Sequence, residues 1–126
     1  PLTMKQLAVV QFFAWFALPC MWQFYGLTVA QNVFGAVDEK VNPDLFRQGT
    51  EWGGLMFAFY NVVCFAIAFA IPWLANNLSR KLVHAICLAL GGLGLISTAF
   101  ATGPYFLLLG MAGVGVAWAS ILSMPY

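Results

Sequence analysis

The chain has 126 residues, 63% of them hydrophobic and 7% charged, with a mean hydropathy of +0.88 and a formal net charge of +1. Average soluble domains carry roughly 25% charged and about 45–50% apolar residues, and a domain this short has too little interior to hide the excess. Composition therefore excludes a water-soluble globule, and the near-neutral charge offers no general attraction for nucleic acid.

A bilayer core about 30 Å thick takes roughly 20 mostly apolar residues in helical form. The first such run extends from about Met4 to Phe34. Residues 35–51, GAVDEKVNPDLFRQGTE, follow; they hold all four acids of the chain and are expected as an outer loop. A second run covers Trp52 to Leu74, and residues 75–81, ANNLSRK, make a short polar turn. The third run spans about Leu82 to Ala101; after TGP at 102–104, with Pro104 suited to a first helical turn, the fourth covers Tyr105 to Tyr126. The runs are continuous and lack the alternation of a barrel strand, so each is predicted to be a helix. The expected fold class is all-α, with residues 1–126 forming one polytopic transmembrane segment of four spans.

No secretory signal is read, because the first apolar run is too long and no small-residue cleavage site follows it. The chain opens on Pro1 and ends at Tyr126 without polar residues after the last run, so it is expected to be a piece of a longer protein. The positive-inside rule sets the sidedness. The ends and the 75–81 turn share one face with Lys5, Arg80, Lys81 and no acid, whereas Lys40 and Arg47 on the other face stand among four acids. Both ends are therefore expected in the cytoplasm.

Polar groups inside spans are costly unless they meet a partner or water, which makes them the first functional candidates. The first run carries Gln11, Gln23, Tyr25, Gln31 and Asn32, interleaved with Trp15 and Trp22. Gln11, Trp15, Leu18, Trp22 and Tyr25 fall on one helical stripe. Pro19 lacks an N–H, so it frees the carbonyl one turn earlier and is expected to kink the helix. Amides and indole rings suit a neutral, hydroxyl-rich solute, since amides both donate and accept and indoles stack on the apolar face of a sugar. The same residues also serve helix contacts and interfacial anchoring, above all Gln31 and Asn32 near the outer end. Asn61 either faces a cavity or joins two helices. His84, one turn past Arg80, reads as an interfacial histidine.

The third and fourth runs are rich in glycine, and Gly113 with Ala117 and Gly115 with Ala119 have the small-xxx-small spacing of close helix approach. Cys20, Cys64 and Cys87 lie scattered in apolar runs and read as small buried residues. GMAGVGVAW is not a dinucleotide fingerprint. With no carboxylate pair, no activated nucleophile and no metal-spaced cluster, neither enzymatic activity nor a cofactor is expected.

Three stretches carry a resemblance. KQLAVVQFFAWFALPCMWQFYGLTVAQNVFGA resembles the seventh helix of the sucrose and disaccharide proton-symporter branch of the major facilitator superfamily. LANNLSRKLVHAICLALGGLGL resembles the eighth-to-ninth cytoplasmic turn, and LLLGMAGVGVAWASILSMPY is similar to the glycine-rich tenth helix. The resemblance implies helices seven to ten of a twelve-helix carrier that moves a neutral sugar with protons by alternating access. It implies Gln11, Trp15, Trp22, Gln23, Asn61, Trp118 and Ser120 as substrate-lining residues, with the ninth helix packed outside. Arg80 and Lys81 would belong to the cytoplasmic gate, although Asn76 or Asn77 stands where the loop motif often has an acid. The implied partners are the sugar, the proton, the lipid bilayer and the remaining helices of the carrier. Carriage of another solute, or a small membrane assembly subunit with glycine docking faces, are the alternatives.

Overall fold

A computed structural model describes residues 1–123 and contains four helices long and apolar enough to cross a membrane. They are α1 (Leu2–Thr28), continued by a π-helical turn at Val29–Val33, α2 (Pro43–Asn77), α3 (Arg80–Thr98) and α4 (Phe106–Ser123). The last three residues of the fourth expected span, and with them the MPY end of its motif, lie outside the described residues.

Helix α2 is longer than the apolar run it contains. Residues 43–51, expected as loop, form its first turns. Pro43 opens the helix where its missing N–H costs nothing, Asp44 sits favourably in the first turn, and Arg47 pairs with Glu51 one turn on at 3.9 Å. The loop between the π turn and α2 is thereby reduced to residues 34–42. Gly35 starts it with φ +71°, and Asn42 accepts from the Val37 N–H at 3.3 Å. The polar turn also contracts, because Ala75–Asn77 stay helical; only Leu78 and Ser79 remain between α2 and α3. Ser79 caps α3, its hydroxyl accepting from the Leu82 N–H at 3.2 Å. Helix α3 ends at Thr98, three residues short of the expected boundary, in successive tight turns that lead into α4.

Helix α1 continues as helix across Pro19, and a π-helical turn follows it at Val29–Val33. The π turn is where the chain docks: Val29 and Ala30 are fully buried, and a methyl group added at Gly49 of α2 would collide with Ala30. One turn away, a methyl group at Gly53 would lie 3.0 Å from the Gly26 Cα.

Helix α4 occupies the centre. Half of its apolar window (50%) is enclosed, against 11%, 17% and 28% for the windows of α1, α2 and α3. Glycine makes the approach possible. A methyl group at Gly110 would lie 2.7 Å from the Gly94 carbonyl oxygen, and one at Gly113 would lie 2.5 Å from that of Leu90. On the α2 side, a methyl group at Gly115 would lie 2.6 Å from the Tyr60 carbonyl oxygen. The small-residue faces read from the sequence are thus the faces along which α3 and α2 meet α4, as close packing in lipid favours. The Trp52 indole donates to the Pro104 carbonyl at 3.1 Å and stands edge-on to Tyr105, fastening α2 to the α3–α4 connection.

Candidate functional site

The three tryptophans of the sequence-derived set come together. Trp118 of α4 stands between Trp15 and Trp22 of α1, with ring centroids 5.8 Å apart in both pairs and nearly perpendicular planes. Seven residues separate Trp15 from Trp22, two helical turns, which puts both rings on one face to flank a single ring from the neighbour. Edge-to-face geometry is the preferred arrangement of aromatic quadrupoles. Both α1 rings keep about two-fifths of their surface exposed (42% and 41%), so the cluster is an accessible aromatic platform and not a sealed core.

Polar groups meet this platform at defined places. The Trp22 indole N–H donates to the Tyr60 hydroxyl of α2 at 3.2 Å, and Tyr60 is 5% exposed. Tyr60 in turn packs edge-on against Phe57, and Phe57 against Tyr25, so ring contacts together with the Trp22–Tyr60 hydrogen bond link α4, α1 and α2. Pro19 cannot donate, so the Trp15 carbonyl has no helical partner at the level of the platform. Gln11, one turn before Trp15, is partly buried, and its Oε1 is closed to solvent with no hydrogen-bond partner among the described residues. An orphaned acceptor of this kind carries a desolvation cost that a donor from a ligand or a neighbouring helix would remove.

The remaining candidates go elsewhere. Ser120 is fully buried and turned to α3, where its hydroxyl shares a 2.7 Å hydrogen bond with His84 Nδ1. It does not line the platform, because two residues past Trp118 on a helix is the wrong face. His84 is accordingly more than an interfacial histidine; it joins α3 to α4. Asn61 is exposed and donates to the Phe57 carbonyl of its own helix at 2.8 Å, which satisfies the amide without any partner helix. Gln23 is exposed beside Trp22. Gln31 donates to the Val37 carbonyl at 3.5 Å and so belongs to the loop. Arg80 and Lys81 are exposed at the start of α3; the ion pair among the described residues is Arg47–Glu51, and Asn77 donates to the Trp73 carbonyl. A gate held by a salt bridge is therefore not formed at this turn by the described residues.

The sequence reading missed two features. Tyr60 enters the platform through a contact 38 residues away in sequence, which helical periodicity within one span cannot reveal. A recess of about 380 Å³ also lies between α1 and α3, lined by Phe16, Cys20, Phe24, Tyr25, Leu95 and Thr98. It draws on α3, the helix expected to pack outside. The three cysteines are free, and no cluster of metal-ligating side chains occurs among the described residues.

The His84–Ser120 bond gives a direct test of helix pairing. Ser120→Ala is expected to destabilise the bundle by about 1–3 kcal/mol, the cost of leaving a buried polar partner unpaired. Reversible unfolding in mixed detergent micelles, compared with Ser123→Ala, would measure it. Among the described residues the Ser123 hydroxyl bonds within its own helix, at the Ala119 carbonyl, so its loss should cost markedly less.

Comparison with protein families, with curated proteins and with solved structures finds no match to this chain.

Proposed function

We propose that this chain forms part of a secondary active transporter that moves a neutral, hydroxyl-rich solute of the sucrose or maltose type together with protons. The supporting observation is the platform of Trp15, Trp22 and Trp118, accessible within a membrane-crossing bundle and bordered by Tyr60, with Gln11 one turn before Trp15. Indole faces bind the C–H face of a pyranose, while amide, hydroxyl and free carbonyl groups exchange hydrogen bonds with its hydroxyls. The platform carries no charged side chain, which favours a neutral solute over an ionic one. Transport would proceed by alternating access, with this bundle rocking against the remaining helices of the carrier. Exposed apolar faces at Phe12, Phe13, Phe16, Phe65 and Phe69 are compatible with cover by lipid or by such helices. Both ends of the chain would face the cytoplasm, on the side of Lys5, Arg80 and Lys81. A membrane-embedded acid for proton coupling would come from another part of the carrier.

Uptake of labelled sucrose and maltose by the protein in proteoliposomes, driven by a proton gradient, tests the reading. Accumulation that an uncoupler abolishes is the expected result. Failure to accumulate either sugar, in protein shown to be folded, would remove the disaccharide assignment.

A further inference from the structure

A second recess, about 320 Å³ in volume, lies between the first turns of α1 and α3, on a different part of the molecule from the tryptophan platform. Its walls divide by chemistry. Thr3, Gln6, Lys81 and His84 supply polar groups, and Leu7, Val10, Ala85 and Leu88 continue it as an apolar trough along the same two helices. Because residues 3–10 and 81–88 are both read from helix N-termini, the polar groups cluster towards the ends of α1 and α3 and the apolar wall runs inwards. The recess therefore has the polarity of a membrane surface, with head-group chemistry outside and hydrocarbon within.

Charge decides the sign of the occupant. Lys81 lines the recess, Arg80 and Lys5 are its sequence neighbours on the two walls, and all three are exposed. All four acids of the chain lie between residues 38 and 51, in the loop before α2 and the beginning of that helix. Nothing at this end of the bundle neutralises the three cations among the described residues. The start of α3 adds the partial positive charge of free backbone N–H groups. His84 supplies the independent sign of a missing partner. Its Nδ1 is engaged by Ser120, while its Nε2 is buried with no hydrogen-bond partner among the described residues. An oxygen-rich anion at the mouth would neutralise Lys81 and, with the Ser120 hydroxyl donating to Nδ1, would offer an acceptor for the Nε2–H.

We propose that this recess is a binding site for one anionic phospholipid, with the phosphate at Lys81 and His84 and an acyl chain along Leu7, Val10 and Leu88. The inference is independent of the solute that the platform carries. A zwitterionic lipid presents the same hydrocarbon, but its ammonium group would be brought against Lys81 and the α3 N-terminus, so the site discriminates by charge.

Native mass spectrometry of the purified protein, titrated with phosphatidylglycerol and with phosphatidylcholine of matched chains, tests this. The expected result is a single phosphatidylglycerol adduct at least about tenfold tighter than the phosphatidylcholine adduct. Lys81→Gln should erase that preference. Arg80→Gln, which removes a cation outside the recess, should reduce it less than about threefold, and Lys81→Arg should preserve it. Thermal unfolding of each variant without added lipid separates loss of the site from loss of the fold. Equal binding of the two lipids would overturn the proposal, as would equal losses in Lys81→Gln and Arg80→Gln, which would mean diffuse surface attraction. A Val10→Cys cross-link that reports another polypeptide segment seated in the recess would also overturn it.

Discussion

Gly94→Leu is expected to separate α3 from α4 and to destabilise the bundle by at least about 3 kcal/mol, at the upper end of overpacking costs. A first side-chain carbon at Gly94 would collide with the carbonyl group of Gly110, and a collision with backbone cannot be relieved by a rotamer change. The α3–α4 seam has no escape on the other side, because Gly110 itself faces the Gly94 carbonyl and Ser97 Oγ. In lipid the loss is not softened by a hydrophobic driving force, since helix association there depends on close van der Waals contact. Gly92 provides the comparison: a methyl group there meets nothing within 4 Å, so Gly92→Ala should leave stability unchanged or slightly raised. Unfolding of both variants in mixed micelles, followed by far-UV circular dichroism, separates the outcomes. Similar stability of Gly94→Leu and Gly92→Ala would contradict the seam described here.

Trp118→Ala has the second large effect, on stability and, under the proposed transport function, on solute binding as well. Among the aromatic rings of the described residues, Trp118 is the one paired with both Trp15 and Trp22, so its removal dissolves two edge-to-face pairs at once, each worth about 0.5–1.5 kcal/mol beyond simple burial. The freed α1 indoles would lose their fixed orientation, and solute affinity is expected to fall by at least about tenfold. Trp118→Phe keeps one aromatic edge and should retain most of the affinity. Trp22→Phe tests the other anchor, because it keeps the ring but loses the N–H that donates to Tyr60. Uptake kinetics give the primary readout, and intrinsic fluorescence gives the second. Dispersal of the cluster should shift and quench emission in Trp118→Ala more than one lost fluorophore explains. Wild-type KM together with an additive fluorescence change would remove Trp118 from the site.

The four spans were legible from the sequence because the bilayer imposes a length and a composition on any segment that crosses it. Glycine spacing in the last two runs announced close helix contact, and Gly91, Gly94, Gly110 and Gly113 sit in that contact. The stripe of Trp15 and Trp22 was readable from helical periodicity, since both residues lie on one helix. Boundaries were less legible. Residues 43–51 are polar yet helical, because Pro43, Asp44 and the Arg47–Glu51 pair favour a helix that extends beyond the apolar run.

Tertiary structure alone decided which faces meet. Ser120 and Trp118 are two residues apart on α4, yet one turns to His84 on α3 and the other to α1. Tyr60 joins Trp22, and Lys81 and His84 join Thr3 and Gln6, across separations that no local pattern encodes. The physical reason is that in a chain apolar on nearly every face, hydrophobicity places a helix in the membrane but does not select its neighbour. That choice falls to shape: where glycine lets backbones approach, the helices lock, and the polar side chains are carried to the partners they find there.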